Sequence, residues 1–356
     1  MKNEFDGIGV MSGTSLDGID LAWCHFSRNE DGKWDYRIDK AVTVPYDEAL
    51  KDRLGNATSP HFSALEYAKL NNDVAEAIAN AVNGWLGDGA RPDFLASHGH
   101  TIFHQPEIGL TTQIGNGAVI AARTGIPTVC DFRTTDVALG GQGAPLVPIG
   151  DELLFSEFDA CLNLGGISNI SYRADGQRIA YDISPCNMAL NTLAHRVGLP
   201  YERDGELAKT GSILPGLLQR LNNLAYYHQK PPKSLGKEWF DEVFSPVLSS
   251  FSSDNSVADL SRTVVEHIAS QIVDNVPENA RTMLVTGGGA HHSFLIQQIQ
   301  NQRDTLKVVV PDKLIVDYKE ALIFAFLGLL RLNGENNCLR SVTGARKDSC
   351  GGGLYL

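Results

Sequence analysis

The sequence predicts an α/β protein of two similar lobes. Three observations carry this. The chain has 356 residues, more than one ordinary hydrophobic core encloses. Strand-like alternation and helix-like repeats are interleaved along it. Each half opens with a glycine-turned hairpin and then alternates helices with strands. The expected division is an N-terminal lobe of residues 1–127, to which the C-terminal tail can add, and a C-terminal lobe of residues 128–356. Two such lobes facing each other would leave a cleft, a favoured place for a ligand.

The first half begins with a short apolar run, Ile8 to Met11. Ser12 to Gly18 holds two glycines and reads as a turn. Ile19, Leu21 and Trp23 then alternate with Asp20, Ala22 and Cys24, and Tyr36 to Val44 supplies a third strand, so the opening is an antiparallel meander. Ser63 and Glu66 form a capping box before Leu70, Val74, Ile78 and Val82, which line one face of a helix. Phe94 to Ser97 is a buried strand, Ala118 to Arg123 a helix, and Pro127 to Asp131 a strand.

The second half repeats the plan. Cys161 to Leu164 is strand-like, Gly165-Gly166 turns, and Ile167 to Tyr172 returns. Asn187 to Arg196 reads as a helix. Val264, Val265, Ile268, Ile272 and Val276 mark a longer one, with Ser256 and Asp259 near its start. Arg281 to Thr286 and Leu306 to Val310 are strands, and Ala321 to Leu332 is the last helix.

Composition narrows the function. Hydrophobic residues at 43% and charged residues at 20% are ordinary for a soluble globular protein. A net charge of −12 argues against a nucleic-acid partner, which needs clustered Lys and Arg. It does not exclude a locally basic site for a small anion. Six scattered cysteines without a C-x-x-C pair read as reduced thiols. Met1 to Asp6 is polar and acidic, unlike a signal peptide, and the apolar run Ala321 to Leu330 is too short to span a bilayer. A cytoplasmic protein without a membrane partner is expected.

Three glycine-rich segments are candidates for holding a nucleotide. The first runs Gly9-Val10-Met11-Ser12-Gly13-Thr14-Ser15-Leu16-Asp17-Gly18-Ile19-Asp20. It is neither a P-loop nor a dinucleotide fingerprint. The second is Asn163-Leu164-Gly165-Gly166-Ile167-Ser168-Asn169, and the third Thr286-Gly287-Gly288-Gly289-Ala290-His291. Each alone is better explained as a tight turn. Three in one chain, each after an apolar strand, favour backbone approach to phosphates, adenine or ribose.

These segments resemble those of the anhydro-N-acetylmuramic acid kinases. The likeness continues through Ser97-His98-Gly99-His100-Thr101, Gln113-Ile114-Gly115-Asn116-Gly117, the block from Asp131 to Pro148, V-T-G-G-G-A-H and Lys319-Glu320-Ala321. It covers Gly9 to about Leu330. The resemblance implies two actin-like (ribonuclease H-like) lobes closing over ATP, a homodimer, and a particular reaction. Water attacks C1 of a 1,6-anhydro sugar while the bridging oxygen leaves toward the γ-phosphate of ATP.

The resemblance also assigns roles. Asp182 aligns with the catalytic base; by its sequence position alone it is equally a helix-capping Asp. Ser12, Gly13, Thr14, Ser15, Asp17, Gly18, Asp20, Gly165, Gly166, Gly287, Gly288 and Gly289 would hold ATP. Asp17 and Asp20 would order Mg²⁺ through water, although Asp17-Gly18 is also an ordinary hairpin turn. Glu320 would contact the sugar or complement a helix dipole. Arg133 would hold a lactyl carboxylate or a surface salt bridge. His98 is expected to donate to substrate, in preference to a metal cluster with His100 and His104.

The chain departs from the family pattern near the base. Tyr181-Asp182-Ile183-Ser184-Pro185-Cys186-Asn187 stands where Phe-Asp-Thr-Gly-Pro-Gly-Asn is usual. His100 replaces a Gln and Leu235 a Thr. If those glycines served a positive φ or close substrate approach, Ser184 and Cys186 would be costly. The changes bear on substrate and rate more than on ATP. Competing readings are a kinase for an intact amino sugar, an actin-like ATPase without sugar chemistry, and a glycoside hydrolase using Asp182 and Glu320.

Overall fold

The computed structural model describes residues 3–13, 16 and 18–356. It divides into two compact units, Met1–Phe155 with Tyr318–Leu356, and Ser156–Asp317. The elements are, in chain order, β1 (Glu4–Met11), β2 (Ile19–Arg28), β3 (Trp34–Val44), α1 (Ala64–Leu86), β4 (Phe94–Ser97), β5 (His100–Gln105), β6 (Leu110–Ile114), α2 (Gly117–Thr124) and β7 (Thr128–Cys130). The second unit supplies β8 (Ala160–Leu164), β9 (Ile167–Ala174), β10 (Gln177–Pro185), α3 (Asn187–His195), α4 (Val257–Asn275), β11 (Thr282–Thr286), α5 (Ser293–Gln302) and β12 (Lys307–Val309). Helix α6 (Lys313–Leu332) and strand β13 (Gly353–Tyr355) follow.

The two sheets share one topology. In the first unit the order is β13-β7-β4-β1-β2-β3, and in the second β10-β9-β8-β11-β12. Strands β1 to β3 form an antiparallel meander, and β4 and β7 join it in parallel. Strands β8 to β10 do the same, with β11 and β12 added in parallel. This repeated 3-2-1-4-5 order is the ribonuclease H-like arrangement of actin-type lobes. The echo between the two halves is therefore topological, carried by hairpins and crossovers rather than by repeated residues.

The first unit runs past the expected boundary at residue 127. Strand β7 pairs with β4, and β13 adds to β7 in antiparallel register, so both belong to the first sheet. Helix α6 also returns there from Tyr318 onward, and its non-helical kink is at Tyr318 itself (φ −121, ψ 15). The sequence reading started this helix at Ala321 and missed β13 and the separate β5–β6 hairpin.

Local chemistry explains the elements that position the site. Helix α1 starts on a true capping box, with Ser63 accepting from the Glu66 N–H and Glu66 accepting from the Ser63 N–H. Its Leu70, Val74, Ile78 and Val82 are buried as the spacing predicts, and they join Ile8, Val10, Leu21 and Leu95 in one core. The second unit has its own core, including Leu162, Ile183, Val264, Ile268 and Val285. Each large apolar side chain so buried contributes about 1.5–3 kcal/mol. Residues 321–330 of α6 are buried throughout. That helix lies against the first sheet through small residues: a Cβ on Gly9 would lie 1.8 Å from the Ala321 carbonyl oxygen, and one on Gly328 2.5 Å from Ala96 Cβ.

Candidate active site

In the first unit, polar residues gather around the end of β1. Ser12 is buried, with its Oγ 2.5 Å from Tyr46 Oη and 2.9 Å from His100 Nδ1. One hydroxyl can satisfy both by accepting from Tyr46 and donating to His100. That needs a neutral imidazole, and burial lowers the His100 pKa. The Ser12 hydroxyl is thus engaged by the protein. Gly13 O accepts from Leu16 N (3.3 Å), and a Cβ on Gly18 would lie 2.6 Å from Val44 O. Thr14, Ser15 and Asp17 lie outside the described residues.

His98 follows β4 and is buried. Its Nε2 accepts from Arg133 Nε (3.2 Å) and Nη2 (2.9 Å), while Arg133 Nη1 donates to Gly143 O (2.6 Å). His98 therefore orients Arg133 through Nε2, and the expected donation to substrate falls to Nδ1. Burial, with the Arg133 charge second, pushes the His98 pKa down to about 3. Burial also lowers Arg133 to about 10, against the pull of Glu320. His104 pairs separately with Thr111 Oγ1 (3.0 Å), so each of the three clustered histidines has a partner of its own.

Glu320 keeps an exposed carboxylate at the start of the buried stretch of α6. The protein around it is nevertheless dense enough to raise its pKa; Arg133 opposes the rise and Asp20 adds to it. Asp20 itself accepts from Thr43 Oγ1 at 2.5 Å. Next to Glu320, Lys319 is buried in an ion pair with Asp151 (2.6 Å), with its ammonium 4.9 Å from the Phe155 ring centroid. Glu320 is thus within electrostatic reach of both Arg133 and Asp20. The neighbouring ion pair fixes the backbone that carries Glu320.

The buried neutral histidines give a pH dependence. His98 and His267 both have pKa values near 3 in the folded chain against 6.5 when unperturbed. Between those values the unfolded state binds protons that the folded state refuses. Stability is complete above about pH 6.5 and falls as pH drops toward 3, by about 1.4 kcal/mol per pH unit per histidine. The urea midpoint is expected to decline between pH 7 and 5; a flat midpoint would contradict neutral burial.

In the second unit, both glycine segments meet. The β8–β9 turn is tied to the start of α3: Cys186 N donates to Gly166 O (2.8 Å) and Asn187 N to Gly165 O (3.1 Å). Asn187 Nδ2 donates to Leu164 O (3.0 Å). Gly287 adopts φ 83, and a Cβ there would lie 2.4 Å from Asn163 Oδ1; one on Gly289 would lie 2.7 Å from Leu164 Cβ. These two glycines let the β11 turn press on β8. Gly166 and Gly288 are exposed, with nothing nearer to an added Cβ than Met188 Cε (3.8 Å) and Asn187 Nδ2 (3.7 Å) respectively. The result is an open backbone face suited to a flat polar ligand such as a nucleoside.

Asp182 lies on β10, just before a register shift that ends at Ser184. The strand continues to Pro185, so Asp182 is within it and caps no helix. Its Oδ2 accepts from Leu235 N (2.9 Å), and among the described residues its Oδ1 has no hydrogen bond. Burial raises its pKa, and the Leu235 N–H draws it back down. A carboxylate oriented through one oxygen, with the other available and its basicity increased, suits a general base.

The departures near Asp182 are accommodated. Neither Ser184 nor Cys186 has a positive φ; Cys186 sits at φ −121. Both are fully buried, and Ser184 exchanges hydrogen bonds with Ser168 across the β9–β10 pair. Leu235 serves Asp182 with its backbone N–H, so the loss of a usual Thr side chain leaves that contact intact. The sequence reading missed Tyr46, Tyr226 and the side-chain role of Asn187. Only Asn187 carries a signal, as the last residue of the Pro185-Cys186-Asn187 stretch that matches the family pattern at Pro and Asn.

Comparisons with known proteins give the chain its family. The chain matches the family model described as anhydro-N-acetylmuramic acid kinase over residues 6–356. It is 34% identical to the anhydro-N-acetylmuramic acid kinase of Hydrogenovibrio crunogenus, covering 98% of this chain and 97% of that protein. It is 37% identical to that of Gloeobacter violaceus, covering 95% of each. Among solved structures it is similar to a ROK family glucokinase from Streptomyces griseus in complex with glucose and AMPPNP, at 15% identity and a TM-score of 0.40 over 90% of this chain and 97% of that one. The chain belongs to the anhydro-N-acetylmuramic acid kinase family.

Proposed function

We propose that the protein opens 1,6-anhydro-N-acetylmuramic acid with water and phosphorylates it from ATP, giving N-acetylmuramic acid 6-phosphate and ADP, in the recycling of cell-wall peptidoglycan. Asp182 takes a proton from the attacking water as its oxygen bonds to C1. The C1–O bond of the anhydro bridge breaks, and the freed O6 attacks the γ-phosphorus. The bond between that phosphorus and the β,γ-bridging oxygen breaks, and ADP leaves. No separate acid is needed, because the leaving oxygen is itself the phosphoryl acceptor.

The observation that carries this reading is the Asp182 carboxylate, held through Oδ2 by Leu235 N with Oδ1 unbonded, in a chain of this family. The open backbone at Gly166 and Gly288 supports ATP binding. Arg133 and Glu320 are the candidates for holding the sugar and its lactyl carboxylate. Mg²⁺ would sit beside Asp20, whose carboxylate is held by Thr43 Oγ1. Asp20 would hold the ion through water, and the ion would neutralise phosphate charge. A cytoplasmic homodimer completes the reading, and gel filtration at low micromolar concentration tests the dimer.

The test is mass spectrometry of the product formed from the anhydro sugar, ATP and Mg²⁺ in ¹⁸O-water. The expected product carries one ¹⁸O at C1 and phosphate at O6. Phosphorylation only of an intact amino sugar, without label at C1, would replace this reading with an ordinary sugar kinase.

A further inference from the structure

We propose that residues 226–235 form a strap that aims Asp182, with Tyr226 as the positioning residue; this rests on the reading of Asp182 as the base. β10 is the edge strand of its sheet, so its outward backbone groups have no strand to pair with. At Asp182 the strap takes that place. Asp182 N donates to Lys233 O (3.2 Å), and Tyr226 Oη donates to the Asp182 carbonyl (2.6 Å). Leu235 N then holds the carboxylate itself (2.9 Å). One short segment thus fixes the N–H, the C=O and the side chain of a single residue, at the point where β10 shifts register.

Tyr226 anchors the strap. Its ring is buried, 5.4 Å from the Trp239 ring and 5.8 Å from that of Tyr227, and the Lys233 ammonium lies 4.8 Å from its centroid. The ring fixes the hydroxyl, the hydroxyl fixes the Asp182 peptide, and the peptide sets where Oδ1 points. A strap that only protected a sheet edge would need no contact to the carboxylate. The Leu235 contact makes the aim of the base the object of the arrangement.

Tyr226→Phe keeps the ring and removes the hydroxyl. The expected result is a fall of roughly 10- to 100-fold in kcat with KM for ATP unchanged, the scale of a small misplacement of a reacting group. Azide supplies the specific readout, because as an anion it attacks C1 without giving up a proton. It forms C1–N while the C1–O bond breaks, O6 takes the γ-phosphoryl group and ADP leaves, so the product is a glycosyl azide 6-phosphate. Azide should restore turnover in Tyr226→Phe. In an Asp182→Ala background, Tyr226→Phe should leave the azide-supported rate unchanged. Unaltered kcat in Tyr226→Phe would overturn the proposal. So would failure of azide to restore it, or a further loss in the double variant, since either makes Tyr226 a structural residue only. If the unmodified protein does not turn over the anhydro sugar at all, the functional reading itself fails and takes this inference with it.

Discussion

Asp182→Asn is expected to lower kcat by about 10²- to 10⁴-fold, the usual contribution of a general base. That corresponds to about 3–5 kcal/mol of transition-state stabilisation. The substitution preserves shape. The Asn carbonyl oxygen can accept from Leu235 N as Oδ2 does now, and the Tyr226 and Lys233 contacts are to the backbone and survive. What changes is the group facing the water: an NH₂ donates and cannot take a proton. KM for ATP should stay within about twofold, because the glycine face of the second unit is untouched. The pH profile gives a second check. The Asp182 pKa is raised above its ordinary value, chiefly by burial, so kcat/KM should fall as pH drops through that raised value. The Asn variant should lose this acid limb. Full activity in Asp182→Asn would remove Asp182 as the base and return the chain to the other carboxylates.

Much of the fold was legible because its signals are local. The meander, the capping box at Ser63 and the buried face of α1 follow from alternation and spacing within a few residues. The repeated plan was visible for the same reason, since a hairpin turned by glycine is a short-range pattern. The unit boundary was not, because it depends on which distant strand β7 and β13 choose as partners. The site divides in the same way. Asp182, Arg133, Glu320 and the glycines lie in contiguous motifs, so they are legible in the sequence. Tyr46 and Tyr226 are not, because their hydroxyls reach residues 34 and 44 positions away and nothing local marks them. His98 was assigned a direct role because residue type suggested a donor. What residue type did not show is that its Nε2 accepts from the Arg133 guanidinium, which leaves Nδ1 as the donor of the ring. Leu235 shows the converse: its side chain looked like a defect, and the structure uses only its backbone N–H.

Gly9→Ala is expected to destabilise the fold by more than about 4 kcal/mol, the range reached only by severe core disruption. The added Cβ would lie 1.8 Å from Ala321 O, 2.7 Å from Ala321 C and 3.0 Å from Ala325 N. These are backbone atoms of α6, so no rotamer change relieves the overlap; the helix or β1 must move. Gly9 has no positive φ, so alanine fits its backbone conformation and the whole effect is the contact. Gly84→Ala is the control. Gly84 lies in α1, also without positive φ, with nothing within 4 Å of an added Cβ. There the same substitution should stabilise by about 0.5–1 kcal/mol through helix propensity. Urea midpoints of the two variants should therefore move in opposite directions from the parent. The displacement also reaches the site, because Ala321 follows Glu320 directly. Moving α6 off β1 shifts that carboxylate relative to Arg133 and strains the buried Lys319–Asp151 pair. A Gly9→Ala variant with an unchanged midpoint would mean that α6 does not lie on β1 at Ala321, and the position of Glu320 beside Arg133 would fall with it.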